Sequence, residues 1–239
     1  MSDLLRSISF LSHLKILHLP RSSTQDPGKS ILKSDWPAQL QELHISGGLH
    51  DETTVYFSTL PPTVSHLSIG NCPHISMLSI GPLLLAKGPQ LQYLEILAPI
   101  PRLQLGQKPL NNIMGLLPNL RHLKISVDFI DTDFFLNASS EHPTLSRIDL
   151  HCFDTDDTSQ LDASNLYTFL ELYPFSKVRI LGIHQKLGWA FKDGVNILDL
   201  DELLKAMARE DGPGAEVSED EAGVVFFGKS GSSHPLHRL

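Results

Sequence analysis

Seven times the chain repeats one apolar triplet, apolar-x-x-apolar-x-apolar. The set is Leu14-Leu17-Leu19, Leu40-Leu43-Ile45, Val64-Leu67-Ile69, Leu91-Leu94-Ile96, Leu120-Leu123-Ile125, Leu145-Ile148-Leu150 and Val178-Leu181-Ile183. Their middle members lie 26, 24, 27, 29, 25 and 33 residues apart, and five of the seven have a proline just ahead. A unit this short cannot bury its apolar face alone. It must stack on its neighbours, so the repeats share one continuous core instead of folding as two ordinary domains.

The alternation within each triplet predicts a short strand whose apolar members point into the core. Successive parallel strands need a crossover, and two crossovers carry apolar residues at helical spacing: Leu110, Ile113, Met114, Leu117 and Leu166, Phe169, Leu170, Tyr173. Pro89, Pro118, Pro143 and Pro174 follow such stretches, where a proline is expected to end a helix. Residues 20–37, rich in Pro, Ser and Gly, read as an irregular loop, and Met1–Leu11 reads as an incomplete first repeat with Ser2 or Asp3 as helix cap. The expected architecture is an α/β solenoid, curved, with a parallel inner sheet of about seven repeats over residues 1–184. Seven strands at the usual spacing span about 29 Å.

Past Ile183 the triplets stop. Residues 185–209 are expected to form a connection with Trp189 and Phe191, then a capping helix begun by Asp199 or Asp201 that puts Leu200, Leu203, Leu204 and Met207 on one side. Residues 210–239 read as an acidic linker and tail without regular structure, with Val224–Phe227 the one β-prone run in it, either packed on the array or loose. Ser218-Glu219-Asp220-Glu221 has the form of an acidic-directed phosphorylation site, against the plain reading of a solvated charge run.

Composition excludes several classes of function. A formal net charge of -8 lacks the basic excess that nucleic-acid binding requires, so no nucleic-acid partner is expected. No apolar run is long enough to cross a bilayer, and no membrane partner is expected. Two cysteines without metal-ligand spacing, and no basic-then-apolar leader, point to a reducing compartment, the cytoplasm or nucleus. Neither a nucleophile motif nor a phosphate-binding loop occurs, so no catalytic residue, no resident metal and no cofactor are expected.

Residues 64–98 carry a more specific pattern: Val64-x-x-Leu67-x-Ile69-x-x-Cys72, then Leu84-Leu85-Ala86-Lys87-Gly88-Pro89-x-Leu91-x-x-Leu94-x-Ile96, with Ile130-Asp131-Thr132-Asp133 farther on. This resembles the cysteine-containing class of leucine-rich repeat found in F-box proteins, the substrate receptors of SCF-type ubiquitin ligases. The likeness covers roughly residues 10–184. It implies that Cys72 is a buried thiol bonded to loop backbone, not a nucleophile. It also implies a non-catalytic protein-interaction module for substrate recognition by such a ligase. Cysteine stands at the motif position only at Cys72; Ser22, Gly48, Pro99, Asp128, Phe153 and Lys186 replace it elsewhere. No F-box is seen in the sequence, so an SCF adaptor is expected as a partner only if an F-box lies outside this chain.

The residues between the apolar ones are the candidates for contact, because strand alternation aims them at the concave face. Glu42, His44, His66, Tyr93, Glu95, His122, Arg147 and Asp149 are expected to bind a protein partner there. Six of the twelve histidines, His18, His44, His66, His122, His151 and His184, share that face, with His18 and His44 about 5 Å apart and His151 and His184 a second matched pair. Two alternatives stay open. One is a free-standing leucine-rich-repeat scaffold or inhibitor unconnected to ubiquitin. The more remote one is a metal-binding or enzymatic protein that uses the concave histidines.

Overall fold

The computed structural model describes residues 7–19, 36–47, 57, 59–72, 76–97, 110–137, 144–153, 161–172, 177–189, 194–212, 217–218 and 220–228. The chain forms two compact units, Met1–Pro109 and Leu110–Leu239, and the stretch expected as one array is divided between them.

The first unit contains β1 (Ile16–Leu19), β2 (Glu42–Ser46), β3 (His66–Gly70), α1 (Met77–Lys87) and β4 (Tyr93–Leu97). Its strands pair in parallel and in sequence order. The register lines up the triplets: Leu17, Leu43, Leu67 and Leu94 form one row, and Leu19, Ile45, Ile69 and Ile96 the next. From β2 onward these side chains are fully buried, each contributing about 1.5–3 kcal/mol of apolar burial. In the first repeat Leu14 and Leu17 stay only partly covered.

The prolines act in a way the expected helix stop does not describe. The first apolar residue of a triplet donates its N–H to the carbonyl three residues back: Leu40 to Pro37, Val64 to Pro61, Leu91 to Gly88, Leu120 to Leu117. Pro62, Pro89 and Pro118 take the second position of these turns, where a fixed φ is favourable and no donor is required. Helix α1 even contains Pro82. The turns are also tied to each other. Thr63 Oγ1 donates to the carbonyls of Ala38 and Leu40, Gln90 Nε2 to those of Pro61 and Val64, and Thr144 Oγ1 to those of Pro118 and Leu120. The third, fourth and sixth repeats thereby satisfy turn carbonyls of the one before.

The second unit contains β5 (His122–Ser126), α2 (Thr132–Asn137), β6 (Arg147–His151), α3 (Ala163–Leu172), β7 (Ile180–His184), α4 (Gly194–Glu210) and β8 (Gly223–Phe227). These strands too are parallel and in sequence order. Leu110, Ile113, Met114 and Leu117 are buried as expected, but around a 3-10 turn, Ile113–Leu116. Leu166, Phe169 and Leu170 are the buried side of α3; Tyr173, Pro143 and Pro174 fall outside the described residues, as do 1–6 and 20–35.

One expectation for the C-terminal region is corrected. The helix begins at Gly194, so Asp199 and Asp201 lie inside it and neither caps it. Of the two readings of the β-prone run, packing on the array holds: it pairs with β7 as strand Gly223–Phe227, so this part of 210–239 has regular structure. Asp201 explains the docking. Its Oδ1 accepts the N–H of Val224 at 2.8 Å while its other oxygen meets Lys205. A Cβ on Gly223 would come within 2.2 Å of that Oδ1, and Gly223 has φ +119°, so glycine is required twice over. Asp211, expected in the acidic linker, binds Lys177 at 2.7 Å and Arg179 at 2.8 Å, and Arg179 is itself buried.

Candidate functional site

Because the apolar rows fill one side of the strands in each unit, the alternate residues form the other, open side. On the first unit this side carries the ranks Ile16, Glu42, His66, Tyr93 and His18, His44, Ser68, Glu95. The expected His18–His44 proximity is present: the rings stack with centroids 4.2 Å apart and planes within 3°. His44 Nε2 lies 3.6 Å from Glu42 Oε2. His66 stacks on Tyr93 at 5.7 Å, and its Nδ1 is 2.8 Å from Ser65 Oγ. Tyr93 donates its hydroxyl to Glu95 at 2.7 Å, and Ser68 donates to the other oxygen of that carboxylate at 3.0 Å. Glu42, His44, His66, Tyr93 and Glu95 are all half-buried. Their bodies are fixed by neighbours while their edges meet solvent.

On the second unit the corresponding ranks are His122, Arg147, Ile180 and Lys124, Asp149, Gly182. Asp149 is the centre. It is 5% exposed, takes Arg147 Nε at 2.9 Å on one oxygen and meets His122 Nε2 at 2.7 Å on the other. Burial pushes its carboxyl pKa up, but the His122 hydrogen bond and the Arg147 charge and hydrogen bond outweigh burial and hold it below the ordinary value. Gly182 makes room for this arrangement. A Cβ there would sit 2.0 Å from Asp149 Oδ1. Of the eight residues expected to touch a partner, Asp149 is thus the one the fold buries, where it orients its neighbours.

The second histidine pair is also repositioned. His151 and His184 have ring centroids 4.5 Å apart, as their matched places imply, yet His184 is only 3% exposed because Phe227 of β8 packs on it at 5.4 Å. Gly182 is an outward strand position and Phe227 ends the β-prone run, but neither is expected from sequence alone to bury a neighbour. The signals were a glycine at an outward strand position, which marks a close approach, and the Val-Val-Phe-Phe run of β8. Cys72 is fully buried, its Sγ 3.2 Å from the Gly70 carbonyl, as the repeat position implies. Trp36 and Trp189 are buried too, so neither is an exposed anchor. Among the described residues no group of three or more His, Cys, Asp or Glu is placed to hold a metal ion. No described helix is long and apolar enough to cross a membrane.

The chain matches no protein-family model. Among curated proteins it is similar to F-box protein YDR306C of Saccharomyces cerevisiae, 26% identical over 218 residues, which cover 89% of this chain and 44% of that protein. The likeness is to an F-box protein. It is also 26% identical over 199 residues to Protein pof5 of Schizosaccharomyces pombe, covering 82% of this chain and 55% of that protein. The chain spans about half the length of these curated relatives.

Asp149, Asp211 and His184 set the dependence of stability on pH. His184 has its pKa lowered, first by burial and then by the charges of Lys186 and Lys124. The folded chain therefore protonates it less readily than the unfolded chain does. Its contribution is present above about pH 6.5 and is lost as pH falls toward the folded value. Asp149 and Asp211 are also lowered, Asp211 by its hydrogen bonds to Lys177 and Arg179 against a smaller effect of burial. Their contributions are complete above about pH 3.9 and disappear as pH falls through their folded values. Thermal midpoints measured against pH should be level above neutrality, fall below about pH 6.5, and fall again below about pH 4. His184→Asn should remove the first fall; an unchanged first fall would assign it elsewhere.

Proposed function

We propose that this chain is a non-catalytic protein-recognition module of the leucine-rich-repeat type, that the open sheet face of each unit binds protein, and that it selects substrates for an SCF-type ubiquitin ligase. The observation that carries the reading is the rank order of half-buried His, Tyr, Glu and Arg side chains on consecutive strands, each already held by a neighbour. Side chains held in place lose little rotamer freedom on binding, which favours affinity per contact. Tyrosine and arginine are the residue types that most often dominate protein interfaces. In this reading Glu42, His44, His66, Tyr93, Glu95, His122 and Arg147 touch the partner, and Asp149 positions two of them. The ligase role draws on the likeness to an F-box protein, and a cytoplasmic or nuclear location goes with it.

The test is to capture partners with the full-length protein and follow them in cells. Co-purification of an SCF adaptor, with a captured partner that accumulates and loses ubiquitin when the protein is removed, is the expected result. A partner whose level and ubiquitylation do not change would end the ligase reading and leave a free-standing scaffold.

A further inference from the structure

The outward positions of β5, β6 and β7 have an uneven charge. Among the described residues there, Lys124 and Arg147 are cationic, and the one carboxylate, Asp149, is buried and engaged. Arg147 spends Nε on Asp149, while its side chain remains 36% exposed. A guanidinium has five N–H donors in a planar fork, so the four on the terminal nitrogens lie beyond the one that Asp149 takes. His122, 26% exposed at the side chain, is held by the other oxygen of the same carboxylate. Lys124 is the register neighbour of Asp149 on β5. The positive field reaches His184, whose pKa the charges of Lys124 and Lys186 help to lower.

A buried acid usually neutralises an arginine and little else. Here it does two further things. It fixes the plane of the fork, because Asp149 lies over Gly182 where any side chain would displace it. It also holds the fork beside the His122 imidazole on the adjacent strand, where Lys124 is its own register neighbour. An Arg fork held in this way matches a carboxylate through two parallel hydrogen bonds.

We propose that the open face of β5–β7 grips a glutamate or aspartate side chain of a bound polypeptide, with the terminal nitrogens of Arg147 as the primary contact, Lys124 and His122 beside it, and Asp149 as the positioning residue. This rests on the reading of the open face as a recognition surface and names the chemistry of one part of it. The partner segment is acidic, and its complex weakens as salt rises.

The probe is an acetylated alanine-flanked tetrapeptide with two central glutamates, compared with its glutamine and phosphoserine counterparts. Each is titrated into the full chain, labelled with nitrogen-15, and the arginine side-chain and backbone resonances are followed. The glutamyl peptide should give saturable shifts at Arg147, His122, Lys124 and Gly182, and the glutamine peptide none. Arg147→Gln should weaken the response at least ten-fold, and Arg147→Lys should restore only part of it, because the charge returns without the fork. A Leu85→Ala control, at an exposed residue of α1 that belongs to no part of the open face, should leave it unchanged. Absent shifts, shifts spread over all basic residues, or a response that survives Arg147→Gln would overturn the proposal. Binding of the phosphoserine peptide alone would replace the carboxylate by a phosphate group and overturn it equally. A protein partner that tolerates Arg147→Gln but is lost on Tyr93→Ala would refute this contact while leaving the wider reading of the face intact.

Discussion

Gly182→Ala is expected to destabilise the protein by about 2–4 kcal/mol, from overpacking and from the charged hydrogen bonds that are lost with it. The backbone itself would accept alanine, since Gly182 has no positive φ. The cost comes from Asp149. The new methyl would stand 2.0 Å from its Oδ1 and 2.8 Å from its Cγ, with Phe227 Cε1 at 3.2 Å on the other side. Asp149 would have to leave, and its bonds to His122 and Arg147 would go with it. Denaturant unfolding measures the loss. A double-mutant cycle locates it: in an Asp149→Ala background the same methyl should cost under about 1 kcal/mol, because its obstacle is gone. Equal costs in both backgrounds would refute the assigned cause.

Ending the chain after Gly212 is expected to have an effect at least as large. The truncation removes β8, and with it Val224 and Phe226, which are 4% and 8% exposed. Apolar burial of those two side chains alone amounts to about 3–6 kcal/mol. It also takes away the Val224 N–H that Asp201 accepts, and the Phe227 ring that covers His184. A loss of this size approaches the whole stability of an ordinary domain. The second unit should melt many degrees lower and protonate His184 more readily, so the first pH-dependent fall should diminish. A thermal midpoint within a degree or two of the full chain would show that β8 adds nothing to the core.

These two sites also mark where sequence reading succeeded and where it stopped. The triplets located β1 to β7 because period-two burial is a property of neighbouring residues and needs no tertiary information. The ranks on the open face followed directly, including the stacked His18 and His44. Strand β8 lacks the triplet, and its pairing depends on Asp201, a residue some twenty positions away whose role as an acceptor no local pattern announces. With the place of Val224–Phe227 open, His184 read as an exposed residue. The burial of Asp149 was hidden for a similar reason. Whether an outward carboxylate faces solvent or folds down depends on the residue opposite it on the next strand, here Gly182, and that pairing is a matter of register across a crossover of some thirty residues. The turn ladder of Thr63, Gln90 and Thr144 was equally invisible, since polar residues at that position read as ordinary loop composition.

The open faces of the two units, Tyr93 on the first and Arg147 on the second, are the centre of the functional account, and one comparison of affinities tests them most directly. A captured partner is titrated against the wild-type chain, a Tyr93→Ala/Arg147→Ala double variant, and a Leu85→Ala/Leu198→Ala control. The control alters two exposed leucines on α1 and α4, away from the open face. If the open face is the recognition surface, the double variant should bind several-hundred-fold more weakly, as expected for two interface residues each worth about 2 kcal/mol, while the control binds like wild type. Wild-type affinity in the double variant, with loss in the control, would contradict the account and move recognition to the helices.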